Sequence, residues 1–226
     1  MVPGLSPTFA VRNYQMPKSS PLRAAAQFIS YLLHPLFMPV YLTAALIYIA
    51  PGLFIRQTPV QNVQLLLSVS LNLVFFPALT LFLLKQLKFV GSYYLETRKE
   101  RIIPIFACTV FAFWVWAFVL WKNPANYPWQ AVRLGLGFFL GASLTLVCNS
   151  FYKISLHAIG AGMLFGLSLG LYLNHTPAIT WAVPAISLGI AGIIILARRV
   201  VSNHTPFELY SGFMLGFIVQ LLGQLL

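Results

Sequence analysis

The residues best suited to chemistry lie in a short polar stretch near the C-terminus, between two apolar segments. Arg198 is followed by five residues and then His204, and Glu208 comes four positions later. The Asn-His-Thr-Pro string around His204 also occurs around His175, but there both corresponding positions hold apolar residues. An ionisable group at the edge of an apolar segment is usually paired and functional, because it is costly to place in lipid. The spacing therefore favours a site in which Glu208 holds the ring of His204 beside a cation, Arg198.

The same residues also match a purely structural pattern. Residues 205–208, Thr-Pro-Phe-Glu, fit a capping box with Thr205 as the N-cap, Pro206 at the first helical position and Glu208 at the third. In this interpretation the carboxylate satisfies backbone amides at the start of a helix. The two roles are compatible, because a capping Glu can also orient a histidine just outside the helix.

A second polar stretch, residues 153–157, precedes another apolar segment. Ser155 and His157 stand at the start of the helix predicted there, and Lys153 adds a cation. Free backbone amides and the positive end of the helix dipole favour an anion at such a position. The alternative is a structural histidine, which is the commoner role of a lone histidine at a helix end.

The rest of the chain is strongly apolar. Of its 226 residues 59% are hydrophobic and 8% are charged, and the mean hydropathy is +0.84, whereas a soluble domain carries about 25% charged residues. Because a spanning helix needs roughly 20 apolar residues, the pattern predicts an all-α polytopic transmembrane helix bundle with six or seven spanning helices. The predicted apolar segments are 24–50, 61–87, 102–121, 131–149, 157–173, 179–196 and 208–226.

The first of these segments is the least regular. It contains His34, Pro35 and Pro39, so we expect it to be kinked or broken, with neighbouring helices satisfying the carbonyls that the prolines release. Before it, we expect residues 1–22 to form a flexible polar tail. Residues 23–226 are predicted to form one transmembrane helical domain.

Three polar breaks interrupt the apolar segments, at 96–101, 153–157 and 198–208. Two predicted helices separate the first break from the second, and two more separate the second from the third. An even number of crossings returns the chain to the side it left, so all three breaks are predicted to face the same side and to meet. The first break would then bring three further cations, Arg98, Lys99 and Arg101.

The formal net charge is +11, from 14 Lys and Arg against three acidic residues. The cations lie at the ends of apolar segments, where they suit anionic headgroups, lipid phosphates or topology signals. Nucleic-acid binding requires a solvated basic face, so we expect membrane lipids as partners and no nucleic acid. Cys108 and Cys148 lie inside apolar segments without a CxxC motif, which favours buried small residues over a disulfide or a metal site.

Together the breaks resemble the three signatures of the type 2 phosphatidic acid phosphatase superfamily. The third signature runs Ser-Arg, five residues, His, three residues, Asp, and residues 197–208 are similar to it. Residues 154–157 resemble the second, Pro-Ser-Gly-His, with Ser155 and His157 matching. Residues 101–104 resemble the end of the first, which is a Lys, six residues and Arg-Pro. The resemblance spans roughly residues 98–210, and the signatures occur in the family's order.

The match is closest in the third signature and degenerate in the other two. Tyr94 stands where the first signature has its Lys, and Pro104 comes two residues late. Four further positions hold Ala, Glu, Ile and Leu in place of Ser, Asp, Pro and Gly; they are Ala197, Glu208, Ile154 and Leu156.

The resemblance implies an enzyme, a lipid phosphatase that uses neither a metal nor another cofactor. His204 would attack phosphorus and form a phosphohistidine, Glu208 would set the tautomer of its ring, and His157 would protonate the leaving oxygen. Paired hydrogen bonds to phosphate favour arginine over lysine. The residues expected to bind the substrate phosphate are Arg198, Arg101 and Ser155, with Lys153, Arg98 and Lys99 as candidates for the missing cation of the first signature.

The substrate would be a phosphorylated lipid, such as phosphatidic acid, phosphatidylglycerophosphate or an isoprenoid phosphate or pyrophosphate. Two alternatives remain open: a relative that binds or transports phosphorylated lipids without turnover, and a structural membrane subunit. We expect an integral protein of a bacterial inner (plasma) membrane with its site toward the cytoplasm. Outside the candidate site, that face carries Arg12, Lys18, Arg23, Lys85 and Lys88, against Arg56, Lys122 and Arg133 on the other.

Overall fold

The computed structural model describes residues 20–93, 95, 97–123 and 125–226, and most of these residues are helical. Within these residues, six helices are long and apolar enough to cross a membrane, which confirms the all-α polytopic bundle and an integral membrane protein. In chain order the helices are α1 (Pro21–Leu32), α2 (Met38–Ile49), α3 (Pro59–Gln86), α4 (Arg98–Trp121), α5 (Trp129–Phe151), α6 (Leu156–Leu173), α7 (Ala182–Val201) and α8 (Pro206–Leu225). Leu71–Phe75 in α3 and Val115–Trp121 in α4 are π-helical, and Pro51–Phe54 forms a 3-10 turn.

The first apolar segment is broken, as predicted, into α1 and α2. Pro35 disfavours helical geometry at His34 and cannot donate a backbone hydrogen bond, so α1 ends just before this pair. Each piece has 12 residues, or about 18 Å, which is shorter than the roughly 30 Å hydrocarbon core. The predicted tail 1–22 is too long at its end, because α1 begins at Pro21 under a cap from Ser20; its residues 1–19 lie outside the described residues.

The chain from the end of α1 through α2 nevertheless runs the length of α6. The carbonyl of Ser30 in α1 lies 3.1 Å from Nε2 of His157, at the N-terminal end of α6. Gly52, just after α2, lies against Pro177, beyond the C-terminal end of α6. The segment from Ser30 to Gly52 therefore passes from one end of α6 to the other as a discontinuous helix, with its break near the polar end.

Helices α6 and α8 pack backbone to backbone. A Cβ atom on Gly162 of α6 would lie 2.0 Å from the carbonyl oxygen of Phe213, and one on Gly216 of α8 would lie 2.0 Å from that of Ile159. Small residues at both positions permit this approach, which supplies the close packing that holds helices together in lipid. Because both helices begin at the same end of the bundle, their N-terminal residues are brought side by side.

The start of α4 is fastened to the end of α5. Thr97 caps α4 in a capping box with Glu100. The Arg98 side chain donates to the carbonyls of Ser150 at 3.2 Å and Phe151 at 2.5 Å, and Asn149 Nδ2 donates back to the Arg98 carbonyl at 2.9 Å. These bonds satisfy carbonyls that the last turn of α5 leaves unpaired, and they fix the height at which Arg101 enters the bundle.

Candidate functional site

His204 and Glu208 form a pair at the start of α8. Nδ1 of His204 lies 2.9 Å from Oε2 of Glu208, and the same oxygen accepts from the backbone N–H of Thr205 at 3.0 Å. Thr205 Oγ1 accepts from the N–H of Glu208 at 3.2 Å, which confirms the capping box. The carboxylate therefore performs both roles that the sequence left open. Since it can only accept, neutral His204 carries its proton on Nδ1 and leaves Nε2 unprotonated.

The three polar breaks meet around this pair. The N–H of Ser155 donates to the carbonyl of Glu208 at 3.2 Å, which joins the starts of α6 and α8. Arg101 donates through Nη1 to the carbonyl of Ile154 at 3.1 Å and through Nε to that of Leu95 at 3.0 Å, which joins the start of α4 to them. The end of α7 brings Arg198 to the same place, close enough to Arg101 for the two cations to repel.

Two buried donors of this cluster have no hydrogen-bond partner among the described residues. Ser155 is fully buried, and its Oγ has no hydrogen-bond partner within the described part of the chain; the same holds for the buried Nε of Arg198. Arg101 beside them is only 8% exposed, and its Nε and Nη1 donate to backbone carbonyls. A buried polar group without a partner costs about 1–3 kcal/mol, and two neighbouring cations add repulsion. An anion bound among them would relieve both costs.

The environment of His204 keeps its ring neutral. Burial lowers the pKa of His204 below its ordinary value of 6.5. Glu208 raises the pKa through its hydrogen bond and charge, while Arg101 and Arg198 act with burial to lower it. The net direction is downward, so at neutral pH the unprotonated Nε2 is available as a nucleophile.

His157 is held by an element outside the three signatures. Its Nε2 lies 3.1 Å from the carbonyl oxygen of Ser30 in α1. A carbonyl only accepts, so Nε2 carries a proton and the neutral ring leaves Nδ1 unprotonated. Both His204 and Arg198 lie close enough to His157 to act on it electrostatically.

His34 belongs to the cluster, although no signature includes it. Its ring lies edge-on to that of His157, with ring centroids 5.3 Å apart and an interplanar angle of 82°. Arg198 acts on it electrostatically. The available signal was local, an ionisable residue beside a proline within an apolar segment, but only the folded chain brings His34 to His157.

Of the three remaining predicted phosphate-binding residues, Arg98 is engaged elsewhere. Arg98 turns to the carbonyls at the end of α5, away from the cluster, because those carbonyls are otherwise unpaired. Lys99 is exposed on the first turn of α4. Lys153 lies half-buried in the loop before Ser155. The contacts described above bring together two arginines, three histidines, one serine and one carboxylate, contributed by α4, α6, α7, α8 and the α1–α2 break.

An apolar cavity of about 240 Å³ adjoins the cluster. His34, Leu95 and Leu156 line its end nearest the cluster. On α4 its lining extends from Pro104 to Ala112, which at 1.5 Å per residue corresponds to roughly 12 Å of depth. A basic cluster that opens onto an apolar slot suits a molecule with an anionic head and a hydrocarbon tail.

Comparison with known proteins identifies no relative of this chain. No family model, curated protein or solved structure matches the chain. Among the described residues, no three His, Cys, Asp or Glu side chains lie close enough together to hold a metal ion.

Proposed function

We propose that this chain is an integral membrane lipid phosphatase that hydrolyses a phosphate monoester or pyrophosphate of a lipid. One observation carries the proposal: the oriented His204–Glu208 pair shares a buried cluster with donors that lack partners, and an apolar cavity adjoins that cluster. The cluster suits a phosphate, and the cavity suits the tail of a lipid.

The first chemical step transfers the phosphoryl group to His204. Nε2 attacks phosphorus while the bond from phosphorus to the lipid oxygen breaks, which forms a phosphohistidine and a lipid alcohol. Arg101, Arg198 and Ser155 bind the non-bridging oxygens, on which charge accumulates. Glu208 accepts a hydrogen bond from Nδ1–H throughout, and its negative charge stabilises the ring as the ring becomes positive.

His157 supplies the proton that the leaving lipid oxygen requires. Its Nε2–H stays on the Ser30 carbonyl, so the transferred proton is carried by Nδ1 of the imidazolium form. A bound phosphate dianion favours that form, because an adjacent negative charge stabilises a protonated histidine. Water then attacks phosphorus and gives a proton to Nδ1 of His157, the bond from phosphorus to Nε2 breaks, and inorganic phosphate leaves.

The site faces the cytoplasm in this proposal, in a bacterial inner membrane. Lys85 lies in the last turn of α3 and Lys88 follows it, at the end of the bundle that carries the cluster. Arg56, Lys122 and Arg133 mark the opposite end. Among the described residues, this end also holds Arg98, Lys99 and Lys153, so it carries the larger number of cations, which the positive-inside rule assigns to the cytoplasm.

A second candidate is a protein that binds or transports phosphorylated lipids without hydrolysing them. The departures at the second signature favour it. Leu156 occupies the position of the signature's Gly and lines the cavity, and Ile154 is fully buried in place of the Pro. Because leucine has a side chain and glycine has none, Leu156 changes how closely a phosphate can approach the backbone at this position.

The deciding experiment measures inorganic phosphate released from a panel of phosphorylated lipids by purified protein in detergent. The panel contains phosphatidic acid, phosphatidylglycerophosphate and isoprenoid phosphates and pyrophosphates. His204→Ala removes the nucleophile, and His175→Ala is its matched control, since it changes the histidine of the other Asn-His-Thr-Pro string. We expect release by the wild type and His175→Ala only. Lipid binding without release from any substrate would favour the second candidate.

A further inference from the structure

His34 lies at the junction between the basic cluster and the apolar cavity. On one side its ring contacts His157, and on the other it lines the cavity together with Leu156. A lipid whose phosphate occupies the cluster and whose tail occupies the cavity would place its head-to-tail junction at this position. His34 is therefore well placed to touch the substrate.

The tautomer of His34 follows from its local backbone. The N–H of Leu36 donates to Nδ1 of His34 at 3.2 Å. An accepting nitrogen carries no proton, so the ring carries its single proton on Nε2. Within the described residues, Nδ1 is the only ring nitrogen of His34 that makes a hydrogen bond, which leaves the Nε2–H free to donate.

The same bond excludes proton transfer as the role of His34. An imidazolium would need a second proton on Nδ1, and that proton would point at the N–H of Leu36. His34 is thus a neutral hydrogen-bond donor, whereas His157 has its Nε2–H engaged by Ser30.

We infer that His34 is a further substrate-binding residue, whose Nε2–H donates to a phosphate oxygen at the point where the head of the lipid meets its tail. The inference rests on the proposed function only in that it takes the cluster to be a phosphate site. It adds the α1–α2 break, which lies outside the three signature segments, to the elements that hold the substrate. The break thus has a function that accounts for a polar ring within an apolar segment.

A packing role makes a different prediction, and two substitutions distinguish them. His34→Phe keeps an aromatic edge against His157 and removes the donor. His34→Gln loses the aromatic ring but offers an amide N–H at a similar reach. If His34 only supports His157 by packing, Phe preserves function and Gln does not. If His34 binds phosphate, Gln preserves binding and Phe does not.

The test measures the dissociation constant of inorganic phosphate by calorimetry on the full chain in detergent. We compare the wild type, His34→Phe, His34→Gln and the control His175→Phe, whose site lies on an exposed loop beyond α6. His34→Phe should weaken phosphate binding roughly tenfold, as expected for the loss of a hydrogen bond to a charged group. His34→Gln should recover most of the loss, and His175→Phe should bind as the wild type does.

Equal phosphate binding by the wild type and His34→Phe would overturn the inference, as would weak binding by Gln together with normal binding by Phe. Failure of the proposed function would give a different experimental result. If phosphate binds in a His34-dependent manner while no lipid is hydrolysed, the phosphatase proposal fails and the role of His34 stands. With turnover, KM for dioctanoyl phosphatidic acid should rise in His34→Phe more than kcat falls.

Discussion

Replacing Glu208 by Gln separates the two roles of its carboxylate. Oε2 accepts from His204 Nδ1 at 2.9 Å and from the Thr205 N–H at 3.0 Å. A Gln at this position still caps the helix, since capping boxes use Gln as well as Glu. Its neutral amide gives no charge to stabilise a positive imidazole and can donate as well as accept, so it permits the wrong tautomer. The substitution therefore acts on the histidine far more than on the helix.

The expected magnitudes follow from these contacts. The Glu208 side chain is 16% exposed and that of His204 is 7% exposed, so their bond is poorly screened by water. We expect kcat to fall about 10²–10⁴-fold, the range associated with a lost acid–base or orienting group. The free energy of unfolding should fall by about 1 kcal/mol or less, because the cap remains.

Thr205→Ala is the complementary variant, because it weakens the helix cap and leaves the histidine–carboxylate bond in place. It removes the Oγ1 acceptor from the N–H of Glu208 and should cost about 0.5–2 kcal/mol of stability. The bond between Glu208 and His204 stays in place, so kcat should change by less than about threefold. Phosphate release and thermal unfolding in detergent, measured on both variants, give four comparable values. If Glu208→Gln lowers stability and leaves kcat unchanged, Glu208 is a cap only and its role in orienting His204 is refuted.

Three further predictions concern other parts of the bundle. Since the pKa of His204 in the folded protein lies below 6.5, the fall of kcat/KM on the acid side should occur below pH 6.5, and a fall that begins above pH 6.5 would contradict this. The stability that the neutral histidine contributes should be present above pH 6.5 and decline as the pH falls from there toward the folded pKa. Gly216→Leu should prevent folding or lower the unfolding temperature sharply, whereas Gly189→Ala, with no atom within 4 Å, should not. Arg101→Ala should abolish phosphate binding, whereas Arg98→Ala should chiefly lower stability; equal effects on binding would be the contrary result.

The helical architecture was predictable because it depends on local composition. Apolar stretches of about 20 residues predict spanning helices, and the capping box at Thr205 predicts where the last one begins. The break at Pro35 was predictable for the same reason, since proline acts on its immediate neighbours. An even number of helices between the polar breaks correctly predicted that Arg101, Ser155 and His204 belong to one end of the bundle.

Contacts between distant segments were not predictable in this way. His34 and His157 are 123 positions apart, and no spacing rule connects them. The bond from Ser30 to His157 uses a backbone carbonyl, which every residue has and no sequence motif marks. Arg98 was counted among the candidate phosphate ligands because of its charge, but its position was decided by unpaired carbonyls at the end of α5.

The close contact between α6 and α8 at Gly216 fixes how many residues can lie between this contact and Glu208. Gly216 comes eight positions after Glu208, which corresponds to about 12 Å of helix. A single residue inserted into this interval would rotate the start of α8 by about 100° relative to Gly216 and shift it by about 1.5 Å. The imidazole–carboxylate pair would then face another side of the bundle, although every residue type in it was retained. An equal insertion after Gly223 would leave the pair where it is and would instead displace the buried Gln224, whose carbonyl accepts from Arg133 and Asn174 at the other end of the bundle.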